Sequence, residues 1–264
     1  MVIDAHCHIY PDKIADKAAH ATARFYTLPA TYDGTLSTLL EAGAKAGIDR
    51  FVVQSVATTP QQVSSINHFI AASVAAHPDK LYGLGTLHPD SEDQEADVKE
   101  LLALGLRGVK LHHDIQQFKI DDYRCLKIYE LCEAYGLPML LHTGDHRFDY
   151  SNPNRLIPVL DIYRNLCVVG AHFGGWSMWE EASRQLRHRE NFFVDCSSAF
   201  YALDNETVRR IIANYGTDRV LFGTDYPMWD VEKEKKRFDT LGYGEADREK
   251  MLCRNALRAF RLEP

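Results

Sequence analysis

Eight short apolar runs recur along the chain, separated by longer stretches in which apolar residues return every three or four positions. The runs begin at Val2 (VIDAHCHI), Arg50 (RFVVQSV), Leu81 (LYGLGTL), Arg107 (RGVKLHH), Pro138 (PMLLHTG), Cys167 (CVVGAH), Asn191 (NFFVDCSS) and Val220 (VLFGTDYP). Their wealth of Val, Leu, Ile and Phe predicts strands covered on both faces, as in a parallel sheet. The intervening stretches predict helices with readable ends. Asp121 and Asp122 can cap a helix carrying Ile128 and Leu131 that stops at Gly136-Leu137-Pro138. Asp204 can cap one carrying Val208, Ile211 and Ile212 that ends at Gly216.

Eight strand–helix units in 264 residues average about 33 residues each, which predicts an α/β fold of one (β/α)8 TIM barrel spanning residues 1–264. The rival, an open doubly wound sheet, calls for a glycine-rich phosphate loop, and neither GxGxxG nor GxxxxGK[ST] occurs. No Pro/Gly/Ser-rich linker divides the chain.

Composition narrows the class. With 45% hydrophobic and 25% charged residues, wholesale disorder is excluded. A net charge of −7 with scattered Lys and Arg argues against nucleic acid as a partner. No run of about 18 apolar residues suggests a membrane span, and no basic-then-apolar leader is apparent, so a cytoplasmic enzyme is expected. Six cysteines without a CxxC pair suggest neither a disulfide framework nor a zinc ribbon. Twelve histidines are the more informative count.

His6 and His8 sit two apart in the first strand, so they share a face at roughly 6.5–7 Å between Cα atoms, a spacing at which two imidazoles can grip one cation. Cys7 then points to the opposite face. His142, His172 and Asp225 end three further strands, where barrel active sites are built. Imidazoles plus a carboxylate from several strands suit a catalytic zinc or manganese site with open positions. Lys110 and His112 share a face of the fourth strand and can reach the same place. Lys110 reads first as a buried ammonium that pairs with Asp225 or Asp195 or binds substrate. In the loops beyond, Arg147 is a candidate for holding a substrate carboxylate, Tyr150 lies in the same polar loop, and Trp176 can wall a pocket. His20, His68, His77, His88 and His188 fall in helices or at the other ends of the units and are assigned no chemistry.

The ordered set His6-x-His8, Gly108-Val109-Lys110-Leu111-His112, His142-Thr143-Gly144, His172-Phe173-Gly174-Gly175 and Gly223-Thr224-Asp225-Tyr226-Pro227 resembles the amidohydrolase superfamily. More narrowly it resembles the amidohydrolase-related branch (amidohydrolase 2), which also holds non-oxidative metal-dependent decarboxylases. The resemblance implies His6, His8, His142 and Asp225 as metal ligands, His172 as a catalytic residue or further ligand, and Lys110 or His112 as reserve ligands. It implies one divalent ion per chain, with zinc favoured and manganese the alternative. His6 lies so early that no β-sandwich domain is expected beside the barrel.

Two reactions fit. Hydrolysis of an amide, lactone or ester of a small, carboxylate-bearing substrate would use a metal-activated water, with Asp225 as base and His172 polarising the carbonyl. Non-oxidative decarboxylation of a small unsaturated or aromatic acid would use the same cation and a proton from His172 or Asp225. The chain is short for such decarboxylases and shows no obvious aromatic cage, which favours hydrolysis. A metal-free binding or scaffold barrel is the third reading, against which every expected ligand is present. The partner expected is a small molecule, with a homodimer among the expected states.

Overall fold

A computed structural model describes residues 1–263. Nine strand segments alternate with twelve α-helices among these residues: β1 (Ile3–His8), α1 (Asp12–Tyr26), α2 (Leu36–Ala46), β2 (Arg50–Gln54), α3 (Val63–Ala76), β3 (Leu81–Gly83), β4 (Gly85–Thr86), α4 (Gln94–Ala103), β5 (Val109–Leu111), α5 (His113–Gln116), α6 (Tyr123–Ala134), β6 (Met139–Leu141), α7 (Pro153–Ile162), β7 (Val168–Gly170), α8 (Trp179–Leu186), β8 (Phe192–Asp195), α9 (Asn205–Tyr215), β9 (Val220–Leu221), α10 (Val231–Asp239), α11 (Glu245–Glu249) and α12 (Asn255–Phe260).

Every neighbouring pair of strands is parallel, in the orders β1-β2-β3 and β4-β5-β6-β7-β8-β9. The two sheets are one barrel. Leu84 breaks a single stave into β3 and β4, yet its own N–H donates to Val53 O at 3.0 Å. At the other seam Ala5 N donates to Phe222 O (2.9 Å) and His8 N to Tyr226 O (2.7 Å). Eight staves therefore close into the expected (β/α)8 barrel, and all eight predicted strands are present. The predicted caps hold as well. Asp122 accepts from Arg124 N at the start of α6, and Asp204 from Thr207 N at the start of α9. No helix of the described residues is long and apolar enough to cross a membrane.

Two layers of core follow from the parity of the strands. The inside of the barrel is filled by Ile3, Ala5, Val52, Leu84, Leu140, Val169 and Leu221, and its lower end is closed by Ala256, Ala259 and Phe260 of α12. The layer between strands and helices holds Cys7, Phe51, Val53, Leu111, Leu141 and Phe222. In β1 the parity changes midway. Asp4 pairs with Phe51 and Cys7 with Val53, so three steps on β1 match two on β2. This extra residue is a bulge. Ile3 and Ala5 face inward before it; after it Cys7 faces the helices and His6 and His8 face the barrel mouth.

One buried carboxylate stands outside both layers' logic. Glu234 of α10 is buried, and its Oε2 has no hydrogen-bond partner among the described residues. Burial, helped by the nearby charges of Asp225 and Asp4, pushes its pKa up to about 8. An acid raised in this way stabilises the fold only while the unfolded chain is also protonated. That contribution is complete below the ordinary glutamate range and is lost as pH climbs through about 8. Replacing Glu234 with Gln should therefore leave Tm nearly unchanged at pH 5 and raise it by several degrees at pH 8.5. Thermal unfolding of both proteins across that range measures the difference, and a gap independent of pH would refute the explanation.

Candidate metal-binding active site

The mouth of the barrel opens into a cavity of about 710 Å³ whose floor carries His6, His8, Lys110, His112, His142, His172 and Asp225. All seven come from the C-terminal ends of staves, the position at which barrel enzymes place their chemistry. His6 Nε2 lies 3.1 Å from His8 Nε2 and 3.4 Å from Asp225 Oδ1, and His8 Nε2 lies 3.7 Å from that same oxygen. Nitrogen and oxygen ligands at about 2.0–2.1 Å around a tetrahedral cation stand roughly 3.3–3.4 Å from each other. The three atoms thus bracket the spacing that one divalent ion requires.

Hydrogen bonding fixes which nitrogen is free. Asp195 at the end of β8 is fully buried, and its Oδ2 lies 2.9 Å from His6 Nδ1. A carboxylate only accepts, so Nδ1 carries the proton and Nε2 is left with its lone pair towards His8 and Asp225. This is the carboxylate–histidine arrangement that orients a metal-bound imidazole. Asp195 Oδ1 meanwhile accepts from Ser197 Oγ and from His172 N (3.2 Å), so one carboxylate braces two strand-end histidines. His172 Nδ1 reaches Ser197 Oγ at 2.9 Å, and the ring stacks on His6 with centroids 5.1 Å apart.

Electrostatics prepare the same atoms. Burial holds His6, His8, His112 and His142 well below the ordinary imidazole pKa and takes His172 down to about 3, so all stay neutral with lone pairs available. Burial raises Asp225 to about 7, against the Ser198 hydroxyl that bonds its Oδ2 and the Lys110 charge, both of which favour the anion. Lys110 is completely buried, with Nζ 3.3 Å from His6 Nε2; desolvation brings it down to about 8. No carboxylate lies within ion-pair distance of it among the described residues, so the pairing expected with Asp225 or Asp195 is not a direct contact.

Backbone strain concentrates here as well. His172, Ser198 and Asp225 have φ of 58°, 48° and 59°, a left-handed conformation that costs a non-glycine residue about 1–3 kcal/mol. It is held in place locally: Asp225 N donates to His6 O at 2.9 Å.

The remaining expected residues divide. His142 directs Nδ1 to His172 Nε2 (3.1 Å) and Nε2 to Gly144 O (3.1 Å) and Tyr26 OH (3.2 Å), and its nitrogens group with His112 and Asp114, next to the His6–His8–Asp225 cluster. His112 stacks on it at 3.9 Å between centroids. Trp176 lines the cavity, placed by its N–H bond to Thr143 O (2.7 Å). Gly144 allows that approach, since a Cβ there would sit 2.4 Å from Gly175 Cα. Arg147 and Tyr150 do not line the cavity. Asp145, two residues before Arg147, takes its guanidinium through Nε (2.9 Å) and Nη2 (2.7 Å), and Phe25 O takes Nη1. The Arg147 fork is thus occupied by its own neighbours, within a ring of Phe25, Tyr26, Phe148 and Trp176. Tyr150 spends its backbone carbonyl on Ile120 N and packs near Phe148. His88, expected at the other end, follows β4 at the mouth but packs on Phe118.

Sequence reasoning missed Tyr26, whose hydroxyl sits 2.6 Å from His112 Nε2 at the end of α1, and Asp195 in its role as the support for His6.

Comparison with known proteins decides the family. The family model described as Amidohydrolase matches residues 3–262. The chain belongs to the amidohydrolase family. It is 25% identical over 254 residues to a gamma-resorcylate decarboxylase from Polaromonas sp. (strain JS666 / ATCC BAA-500), covering 74% of this chain and 75% of that protein. Among solved structures it is similar to the uncharacterised TIM-barrel protein Bb4693 from Bordetella bronchiseptica, with TM-score 0.79, 25% identity and 98% of each chain covered. It also shares its fold with a dihydroxybenzoic acid decarboxylase from Polaromonas sp. JS666, solved with manganese and the inhibitor 2-nitroresorcinol (TM-score 0.77, 17% identity, 98% and 96% covered).

The Asp195–His6 bond generates a direct expectation. Asp195→Asn keeps the shape but lets the amide donate where the carboxylate accepted, so His6 Nε2 loses its enforced lone pair. Affinity for Mn²⁺ or Zn²⁺, measured by calorimetry, should fall by about 10–100-fold with the fold retained. Unchanged affinity would remove Asp195 from this role.

Proposed function

We propose that this amidohydrolase-family protein is a metal-dependent, non-oxidative decarboxylase of an aromatic or unsaturated acid, with hydrolysis of an ester, lactone or amide as the second reading. The observation that carries the proposal is the convergence of His6, His8 and Asp225 at ion-binding distances beside a buried, unpaired ammonium, Lys110. The decarboxylase relative moves the balance from hydrolysis, the first expectation, to carbon–carbon cleavage.

His6 Nε2, His8 Nε2 and Asp225 would hold a divalent ion, with His142, the further ligand implied by the resemblance, beside them against His172. A mixed imidazole and carboxylate set suits zinc or manganese. When bound, the ion supplies Lewis-acid polarisation of substrate oxygens. Lys110 would pair with the substrate carboxylate at the floor, the task first expected of Arg147. Asp225, raised to about 7, is the group in reach that can carry a proton to the ring or alkene carbon bearing the carboxylate, and the neutral His172 in the same cavity can accept and relay that proton. Once that carbon is protonated, its bond to the carboxylate breaks, carbon dioxide leaves, and the bonding pair restores the double bond. Trp176 and Tyr26 line the same cavity, and their rings would limit water beside the substrate carboxylate.

The test is release of carbon dioxide from gamma-resorcylate and related hydroxybenzoates by the metal-loaded enzyme. His172→Asn and Asp225→Asn should each lower turnover by about 10²-fold or more, with Asp225→Asn alone also losing bound metal. Cleavage of esters, lactones or amides without carbon dioxide release from any acid would instead establish the hydrolytic reading.

A further inference from the structure

The cavity is several times larger than a single aromatic ring needs. A benzene-sized ligand fills a cavity of about 150 Å³, whereas this one encloses about 710 Å³. The surplus lies away from the histidines, between α1 and α3. Ile14, Ala18, Ala21 and Phe25 recur on α1 at spacings of four, three and four, which places them in one stripe. Ile66 and Phe69 of α3 face them across the cavity.

This stripe is not the one that fastens α1 to the protein. Ala15, Ala19 and Ala23 are the buried residues of α1 and occupy a neighbouring face. A helix lying on a barrel needs one apolar face, and α1 has two. The second carries Ile14, which is 44% exposed, and narrows to alanine at Ala18 and Ala21, where a larger residue would fill the space. At its inner end the same helix turns to polar chemistry, since Tyr26 OH contacts His112 and His142. One continuous cavity therefore runs from a floor of imidazoles and an ammonium to an apolar lobe open at its far end.

We propose that the substrate is an acid with two parts: a carboxylate-bearing head held at the floor, and an apolar alkyl or aryl arm that lies between α1 and α3. The head rests on the reading of the site given above; the arm rests on the lobe alone. Continuity of the lobe with the floor assigns it to the substrate and not to a separate partner.

Calorimetric binding of benzoate and its 4-butyl, 4-hexyl and 4-octyl derivatives to the metal-loaded enzyme tests the arm without requiring turnover. Burial of each methylene should tighten binding about fourfold until the lobe is filled. Ala18→Phe, which fills the lobe, and Ile14→Asp, which wets its outer end on an exposed position, should each flatten that dependence. Binding that ignores chain length, or a dependence untouched by both variants, would overturn the proposal. A dimer in solution that Ile14→Asp splits, with no chain-length effect, would assign the lobe to a second copy of the chain and overturn it equally. Chain-length dependence without carbon dioxide release from any acid keeps the arm and refutes the decarboxylase; release without chain-length dependence does the reverse.

Discussion

One extra residue in β1 determines where the chemistry of this barrel sits. Ile3 and Ala5 point into the barrel, and strict alternation would send Cys7 after them while turning His6 and His8 towards the helices. The bulge between Asp4 and Cys7 reverses that parity. Cys7 joins the apolar layer under the helices, and the two histidines enter the mouth. The bulge is held from the neighbouring stave: His8 N bonds Tyr226 O, Asp225 N bonds His6 O, and Asp4 takes Thr224 N (3.0 Å) and the Thr224 hydroxyl. Closing the barrel and assembling His6, His8 and Asp225 are therefore a single structural event.

Around that event the buried polar groups form a graded set of supports. Asp195 sets the tautomer of His6 and bonds the backbone of His172, while Ser198 bonds Asp225 and receives Trp229 Nε1 (2.6 Å). Such groups are costly to bury unless every partner is present, which accounts for their dense mutual bonding at the strand ends. The left-handed backbone at His172, Ser198 and Asp225 shows the same priority, with local stability given up to aim side chains into the cavity.

Much of this was legible in the sequence. The eight strands, the capped helices and the strand-end placement of His6, His8, His142, His172 and Asp225 follow from local rules of periodicity and capping. What was not legible depends on distance or on a single inserted residue. Tyr26 meets His112 across 86 positions, and only the packing of α1 over the mouth brings them together. Alternation could show that His6 and His8 share a face but not which face, because the bulge leaves no signature in residue type. Asp195 ends a predicted strand and was visible as a strand-end acid, yet its bond to His6 joins residues 189 apart. The occupation of Arg147 was within reach of local reasoning, since an Asp two residues earlier can close on its own arginine. The preference for hydrolysis rests on chain length and on the lack of an obvious aromatic cage in the sequence, and neither says much about which bond a metal site cleaves.

The proposed cation site is the cluster of His6, His8 and Asp225. Crystals grown with manganese and measured at its absorption edge test it most directly. A single strong anomalous peak is expected in contact with His6 Nε2, His8 Nε2 and an Asp225 oxygen. A peak instead among His112, Asp114 and His142, the neighbouring cluster of possible ligands, or no peak at the mouth of the barrel, would contradict it.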